Sequence, residues 1–427
     1  MAGLLALVPL AAGAETTRVT AELVVVTSPA QAVAIALDRS PAMRSARASR
    51  QAVQGEGLQA GLRPNPEASF TVENFGSIGG RGSYRSFDQT EATVGLSQRI
   101  ELGGKRSARV GFAGRNDEVA SLEVETARLD LARDVVTALA TATAAARLAE
   151  VERERARVAA ESARVVRERV AAGKEALLQA KRAEVARTAA EIAAERSRRD
   201  AESSLRMLAL LMGVAHLEIA ARQSWFDDIG AEPSVPQQAD PSGRLRANPD
   251  LARLDAVIAQ RRADVALQRA NAVPDVTVQG GVRRFQEGRE TAFVAGVSVP
   301  LPFSDRNQGG IARANAELTR AEAEAERGRA ALATSLTTAE YRMKLAWRTV
   351  QSLRRTAVPA ASQAVGFAGT GYAEGKFPFL EVLDAQRALS DVRAELIEAL
   401  REFHARRAEV ERLRGETAGN LSLAGSR

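Results

Sequence analysis

The chain has 427 residues, with 59 Lys and Arg against 53 Asp and Glu, giving a net charge of +6 and a sequence pI of about 10.1. It holds no cysteine and two histidines, which excludes disulfides, thiolate metal sites and cysteine nucleophiles and leaves no His cluster for a zinc centre. Aromatic residues make up only 4% while Ala dominates the apolar set, so long, closely packed helices are expected in place of a conventional core.

Residues 1–14, MAGLLALVPLAAGA, read as a signal peptide ending in the A-x-A-like Ala12-Gly13-Ala14, with cleavage expected before Glu15. The usual basic start is missing, which points to a start further upstream. Without cysteine, no lipid anchor on an N-terminal Cys is expected. Nothing further along approaches an uncharged stretch long enough for a transmembrane helix. Residues 29–62 read as helix broken at Pro41, and Pro64 and Pro66 end it. Two alternating stretches follow, expected as strands at about 67–75 and 91–100. Ala68, Phe70 and Val72 oppose Ser69, Thr71 and Glu73; Ala92, Val94, Leu96 and Ile100 oppose Thr93, Gly95, Ser97 and Arg99. From Lys105 to Ala172 no proline interrupts a helix, and Leu122, Leu129 and Val136 recur every seven residues, as do Ala144, Val151, Val158, Val165 and Ala172. Sustained sevens mean coiled-coil packing. A second helix is expected over 174–212.

The chain then repeats itself. Ser40-Pro41 matches Asn248-Pro249 at an offset of 208, and Gly95-Leu96-Ser97 matches Gly296-Val297-Ser298 at 201. Gly173-Lys174 matches Gly375-Lys376 at 202. The fall in offset puts the extra residues in the loop near 76–90. Such self-similarity makes each half one supersecondary unit. The expected order is a first repeat over 15–213, a linker over 214–247, a second repeat over 248–415 and a disordered tail over 416–427. In the second repeat, strands are expected at about 275–284 and 291–301, and helices at about 306–372 and 377–414. Val382, Leu389, Leu396, Phe403 and Val410 keep the seven-residue spacing, and Pro359 should kink or break the longer helix.

The basic pI suggests nucleic acid. Arg, however, alternates with Glu along the helices, as in Glu152-Arg153-Glu154-Arg155, and that reads as an ion-paired, solvated face. No nucleic-acid partner is expected. The strands are long enough to cross a bilayer when tilted, but four per chain cannot close a barrel, and open edges are not tolerated in lipid. Three copies supply twelve. The fold class expected is α+β membrane: a homotrimeric channel-tunnel with a twelve-stranded barrel continued by a long helical barrel.

Three segments carry a family resemblance: Ile100-Glu101-Leu102-Gly103-Gly104-Lys105-Arg106, Pro300-Leu301-Pro302-Phe303-Ser304-Asp305-Arg306-Asn307-Gln308-Gly309, and the run from Gly375 to Arg387 containing Glu381-Val382-Leu383-Asp384-Ala385. They resemble the TolC-type outer membrane factors, and the first two resemble the CzcC-like heavy-metal efflux branch. The resemblance implies an outer-membrane channel with a periplasmic helical extension. It also implies docking to a periplasmic membrane-fusion adaptor and an inner-membrane resistance-nodulation-division (RND) transporter, with divalent heavy metals such as zinc, cobalt and cadmium as cargo.

Glu381 and Asp384, three apart, share a helix face, and three-fold symmetry would stack them as two carboxylate rings suited to cation selection. The resemblance implies that they narrow the periplasmic entrance. It also implies a latch at Tyr372, whose acidic partner in the family is replaced here by Gln179. The alternative for both acids is a solvated helix end. Gly173, Lys174, Leu178, Gly375, Lys376 and Leu380 mark the two hairpin tips, expected to dock the adaptor. His404 is expected as a polar packing residue and Trp225 as an anchor for the linker. No catalytic set, cofactor or metal site is expected. A channel of the same fold for drugs, organic solutes or a secreted protein, a coiled-coil stalk and an enzyme are the competing readings. The paired strands argue against the stalk, and the missing nucleophile and phosphate-loop patterns argue against the enzyme.

Overall fold

The computed structural model describes residues 23–75, 89–220, 224–234, 243, 245 and 248–416. The expected signal peptide, residues 76–88 of the longer loop and the tail beyond Glu416 lie outside the described residues. The first half runs β1 (Leu23–Val26), α1 (Pro29–Arg39), α2 (Pro41–Gly61), β2 (Glu67–Glu73), β3 (Glu91–Ile100), α3 (Lys105–Ala171) and α4 (Leu177–Met212). Two short elements follow, β4 (His216–Ile219) and α5 (Ser224–Asp227). The second half runs α6 (Pro249–Asn271), β5 (Val276–Phe285), β6 (Thr291–Ser298), α7 (Gln308–Ser352), a π-helical turn (Leu353–Ala357), α8 (Val358–Ala373) and α9 (Phe379–Arg414).

The duplication extends to individual hydrogen bonds. Ser40 Oγ accepts from the Ala42 amide at 3.3 Å, and Asn248 Oδ1 accepts from the Asp250 amide at 2.7 Å, so α2 and its counterpart α6 each start on a side-chain cap followed by proline. At the tips the Gly173 and Lys174 amides donate to Val170 and Arg169 carbonyls; the Gly375 and Lys376 amides repeat this to Tyr372 and Gly371. Both glycines are left-handed, with φ of 71° and 74°, which is the geometry a Schellman helix end requires.

Strands β2, β3, β5 and β6 form one antiparallel sheet in that order. Its helix-linked end carries Glu67, Ile100, Val276 and Ser298; its other end carries the two hairpin connections. One face is apolar and open to the surroundings: Phe293 is 92% exposed, Phe70 71% and Val297 68%. The outer strands are shorter than the sequence suggests. β2 starts where expected but stops at Glu73, where Asn74 turns left-handed with φ of 56°; β6 stops before Pro300 and Pro302, and proline has no amide to extend a ladder. Both outer strands have one neighbour each within the chain.

Residues of the seven-residue repeat are buried or half-buried, Leu129 at 6% and Phe403 at 2% among them, except Ala172, which is exposed at the end of α3. Around Pro359, expected to kink or break the long second-half helix, the helix carries a π turn. It neither ends nor breaks there. The π turn at Leu353–Ala357 absorbs the missing donor one turn upstream, and the backbone stays helical through Ala357 and Val358. Also unforeseen is the parallel pairing of β1 with β4, Leu23 opposite His216 through Val26 opposite Ile219. The run Leu23-Val24-Val25-Val26 is too short for its periodicity to separate strand from helix. With α1, α3 and α4 these strands enclose a core containing Val26, Leu139, Leu208 and Met212.

Candidate functional site

The two hairpin tips lie at the end of the helices remote from the sheet. Six tip residues named from the sequence, Gly173, Lys174, Leu178, Gly375, Lys376 and Leu380, are all exposed. Leu178 and Leu380 show 59% and 55% of their surface, apolar area left without cover in the single chain.

Glu381 and Asp384 occupy the first two turns of α9, on one face, and both are exposed. Neither side chain has a hydrogen bond or ion pair among the described residues. That sets them apart from neighbours such as Glu154, Glu161 and Glu168, which are tied to Arg157 and Arg164. A helix N-terminus favours a carboxylate in its first turns. Asp384, Leu380 and Gln179 line a groove of about 590 Å³ whose walls are α4 and α9 and whose floor is α3.

Tyr372 is half-buried, but Gln179 does not reach it by a hydrogen bond. Its ring lies 5.2 Å from that of Phe379, and the Arg169 guanidinium carbon lies 5.5 Å from its centre. A cation on a ring face is attracted by the ring quadrupole. The first-half contact to Tyr372 is therefore a cation from α3 and not a group on α4. Sequence reasoning missed Arg169, although the offset of 202 held a signal. Arg169 and Glu175 of the first tip correspond to Gly371 and Phe377 of the second. In the first tip those positions form an ion pair at 3.5 Å. In the second, Phe377 lies on Gly371 so closely that an added Cβ would meet its ring at 2.1 Å.

Residues 224–230 of the segment joining the halves are docked onto the helices. Phe226 is fully buried, and its carbonyl accepts from His404 Nε2 at 2.9 Å. Arg147 grips Asp227 with both terminal nitrogens at 2.7 and 2.8 Å and holds its carboxyl below the usual range. Trp347 Nε1 donates to the Gly230 carbonyl at 3.3 Å, and Arg354 of the π turn donates to the Asp227 carbonyl at 2.8 Å. His404 is thus a packing residue, and burial pushes its pKa down to about 4. Trp225 packs edge-on against it, with ring centres 5.1 Å apart.

Among the described residues no group of three or more His, Asp or Glu is placed to hold a metal ion. No helix among them is long and apolar enough to cross a membrane. The feature suited to lipid is the sheet, with one exposed apolar face and one polar face.

This is the protomer fold of the outer-membrane channel-tunnels. The structure superimposes on CusC with a TM-score of 0.76, covering 91% of this chain and 92% of that one at 16% identity. A membrane protein from Pseudomonas aeruginosa gives a TM-score of 0.75, covering 92% and 91% at 19% identity. The family described as outer membrane efflux protein matches residues 32–214 and 241–416, and the chain belongs to it. Among curated relatives, the cobalt-zinc-cadmium resistance protein CzcC of Cupriavidus metallidurans is 30% identical over 85% of this chain and 84% of its own length. The nickel and cobalt resistance protein CnrC of the same organism is 31% identical over 66% of each chain. The protein is an efflux component of the outer membrane, with its helices extending into the periplasm.

Proposed function

We propose that three copies of the chain close a twelve-stranded barrel in the outer membrane and a helical tunnel below it. The channel passes divalent heavy-metal cations outward without doing chemistry on them. A periplasmic membrane-fusion adaptor docks on the tips, and an inner-membrane RND transporter supplies the energy. Two open sheet edges, β2 and β6, support the closure, because lipid leaves no unpaired backbone edge unpunished. The observation that carries the cargo is the 30% identity to the cobalt-zinc-cadmium resistance protein, sustained over nearly its whole length. Glu381 and Asp384 then form the two carboxylate rings at the periplasmic mouth, and Tyr372 holds the closed state through Arg169, with Gln179 taking no direct part.

Growth of a deletion strain on zinc, cobalt and cadmium, alongside dyes and antibiotics, with the plasmid-borne gene as control, tests the cargo. Sensitivity to metals alone is expected. Sensitivity to dyes and antibiotics alone would keep the channel and replace the cargo.

A further inference from the structure

The end of the sheet farthest from the helices carries an ion-paired cluster. Glu73 on β2 and Glu91 on β3 lie directly opposite each other in the ladder. Like charges in that position repel. Arg283, one strand further on, reaches across to both. Its Nη2 lies 2.9 Å from Glu73, its Nη1 donates to Glu91 at 2.8 Å, and its Nε donates to Thr93 Oγ1 at 3.0 Å. Asn74 donates to the other oxygen of Glu91 at 3.2 Å.

The register puts all of these except Asn74, which follows β2, on one face. Thr71 pairs with Thr93, Thr93 with Arg283, and Ser97 with Gln279, a polar row set that alternates with Phe70, Val94 and Val282. The apolar alternates are exposed and fit lipid, so the polar face lines the water-filled interior. The cluster therefore sits on the lumen wall at the outer mouth, at the opposite end of the molecule from Glu381 and Asp384.

We propose that Glu73, Arg283 and Glu91 set the charge of the channel's exit and so contribute to its ion preference, independently of the periplasmic mouth. This rests on the proposed closure of three sheets into one barrel. Two carboxylates against one guanidinium leave one negative charge per chain from this cluster, repeated around the lumen. Rings of side-chain charge bias which ions enter a pore. Arg283 has two effects: it cancels half of the acidic charge, and it lays both carboxylates along the wall.

The test is the reversal potential of the purified full-length protein in planar bilayers under a potassium chloride gradient. Removing the cation with Arg283→Gln should move the reversal potential toward the cation equilibrium potential. The double variant Glu73→Gln, Glu91→Gln should move it the other way, and Arg283→Lys should stay near wild type. Wild-type reversal potentials in conducting Arg283→Gln and double-variant channels would overturn the proposal, even if heat stability of the assembly falls, since that pattern marks a brace and nothing more. Should Arg283→Gln fail to assemble, the double variant, which keeps the arginine, decides alone. A wild-type protein that is monomeric in detergent and forms no channel would instead overturn the barrel on which the proposal stands.

Discussion

Acidification should undock the segment that joins the two halves. His404 is 4% exposed, and its ring is packed among Trp225, Phe226 and Phe403, with centre distances of 5.1, 5.4 and 5.4 Å. Burial pushes its pKa from 6.5 down to about 4; the Phe226 carbonyl and the carboxylates of Asp227 and Asp228 oppose this, while Arg407 adds to it. The docked state therefore binds fewer protons than the undocked state between those two values. The docking stability is complete above pH 6.5 and is lost as the pH falls through about 4. The gap between the two values corresponds to about 3 kcal/mol once both states are protonated. Both tryptophans of the chain report on it, Trp225 from within and Trp347 through its bond to Gly230. Tryptophan emission should redden and lose intensity on acidification from about pH 7 to about pH 4. In His404→Phe, which keeps the ring stack without a titrating group, the change should vanish. A flat wild-type emission over that range, or the same transition in His404→Phe, would refute the reasoning.

Replacing Glu381 and Asp384 together by Ala should raise single-channel conductance or reduce cation preference; unchanged values for both would remove the carboxylate rings from the periplasmic mouth. Gly371→Ala should drive Phe377 off its seat, because the new Cβ would lie 2.1 Å from the ring. The overpacking costs about 1–3 kcal/mol, read as faster proteolysis at the second tip with the first tip unchanged. Arg412→Ala removes the cation that Asp250, 14% exposed, pairs with, while Asp130 keeps Arg133 at 3.3 Å. Breaking a largely buried pair costs about 3–5 kcal/mol, so the heat stability of the purified protein should fall sharply. Ala325→Pro, at a site 1% exposed within α7, should block assembly at a cost of about 3 kcal/mol per chain; a normally assembling variant would contradict a continuous helix there.

The backbone of this fold is legible where one residue type dictates a conformation. Pro41 and Pro249 after their caps, Gly173 and Gly375 in left-handed turns, and the two inner period-two strands appear in the sequence as they do in space, while the outer strands end earlier than their alternation. The seven-residue repeat likewise marks the buried faces. What the sequence hid depends on contacts between distant segments. Arg169 meets Tyr372 across an interval of 203 residues, and nothing local distinguishes this arginine from the many that pair with a Glu three or four positions away. The π turn was hidden for a different reason. Pro359 announces a perturbation, but whether a helix breaks or bulges depends on the packing around it. Here Leu353 is 8% exposed, and Arg354 is anchored to Asp227.

Those differences show what duplication kept and what it released. The caps and tip turns are the same in both halves because the chain direction at each corner must be the same for the helices to pack. The side chains closing the tips have diverged, to an ion pair at Arg169 and Glu175 and to an aromatic ring on glycine at Gly371 and Phe377. An exposed ion pair is cheaply broken and screened by salt. The Phe377 ring seated on Gly371, though 47% exposed, carries no charge for salt to screen. The first-half helix α3 also runs uninterrupted for 67 residues, whereas its counterpart carries the π turn. The two tips therefore present surfaces of different charge, even though the backbones match. In the proposed trimer that reduces six near-equivalent positions to two sets of three, so an adaptor with one binding mode would distinguish the first-half tip from the second.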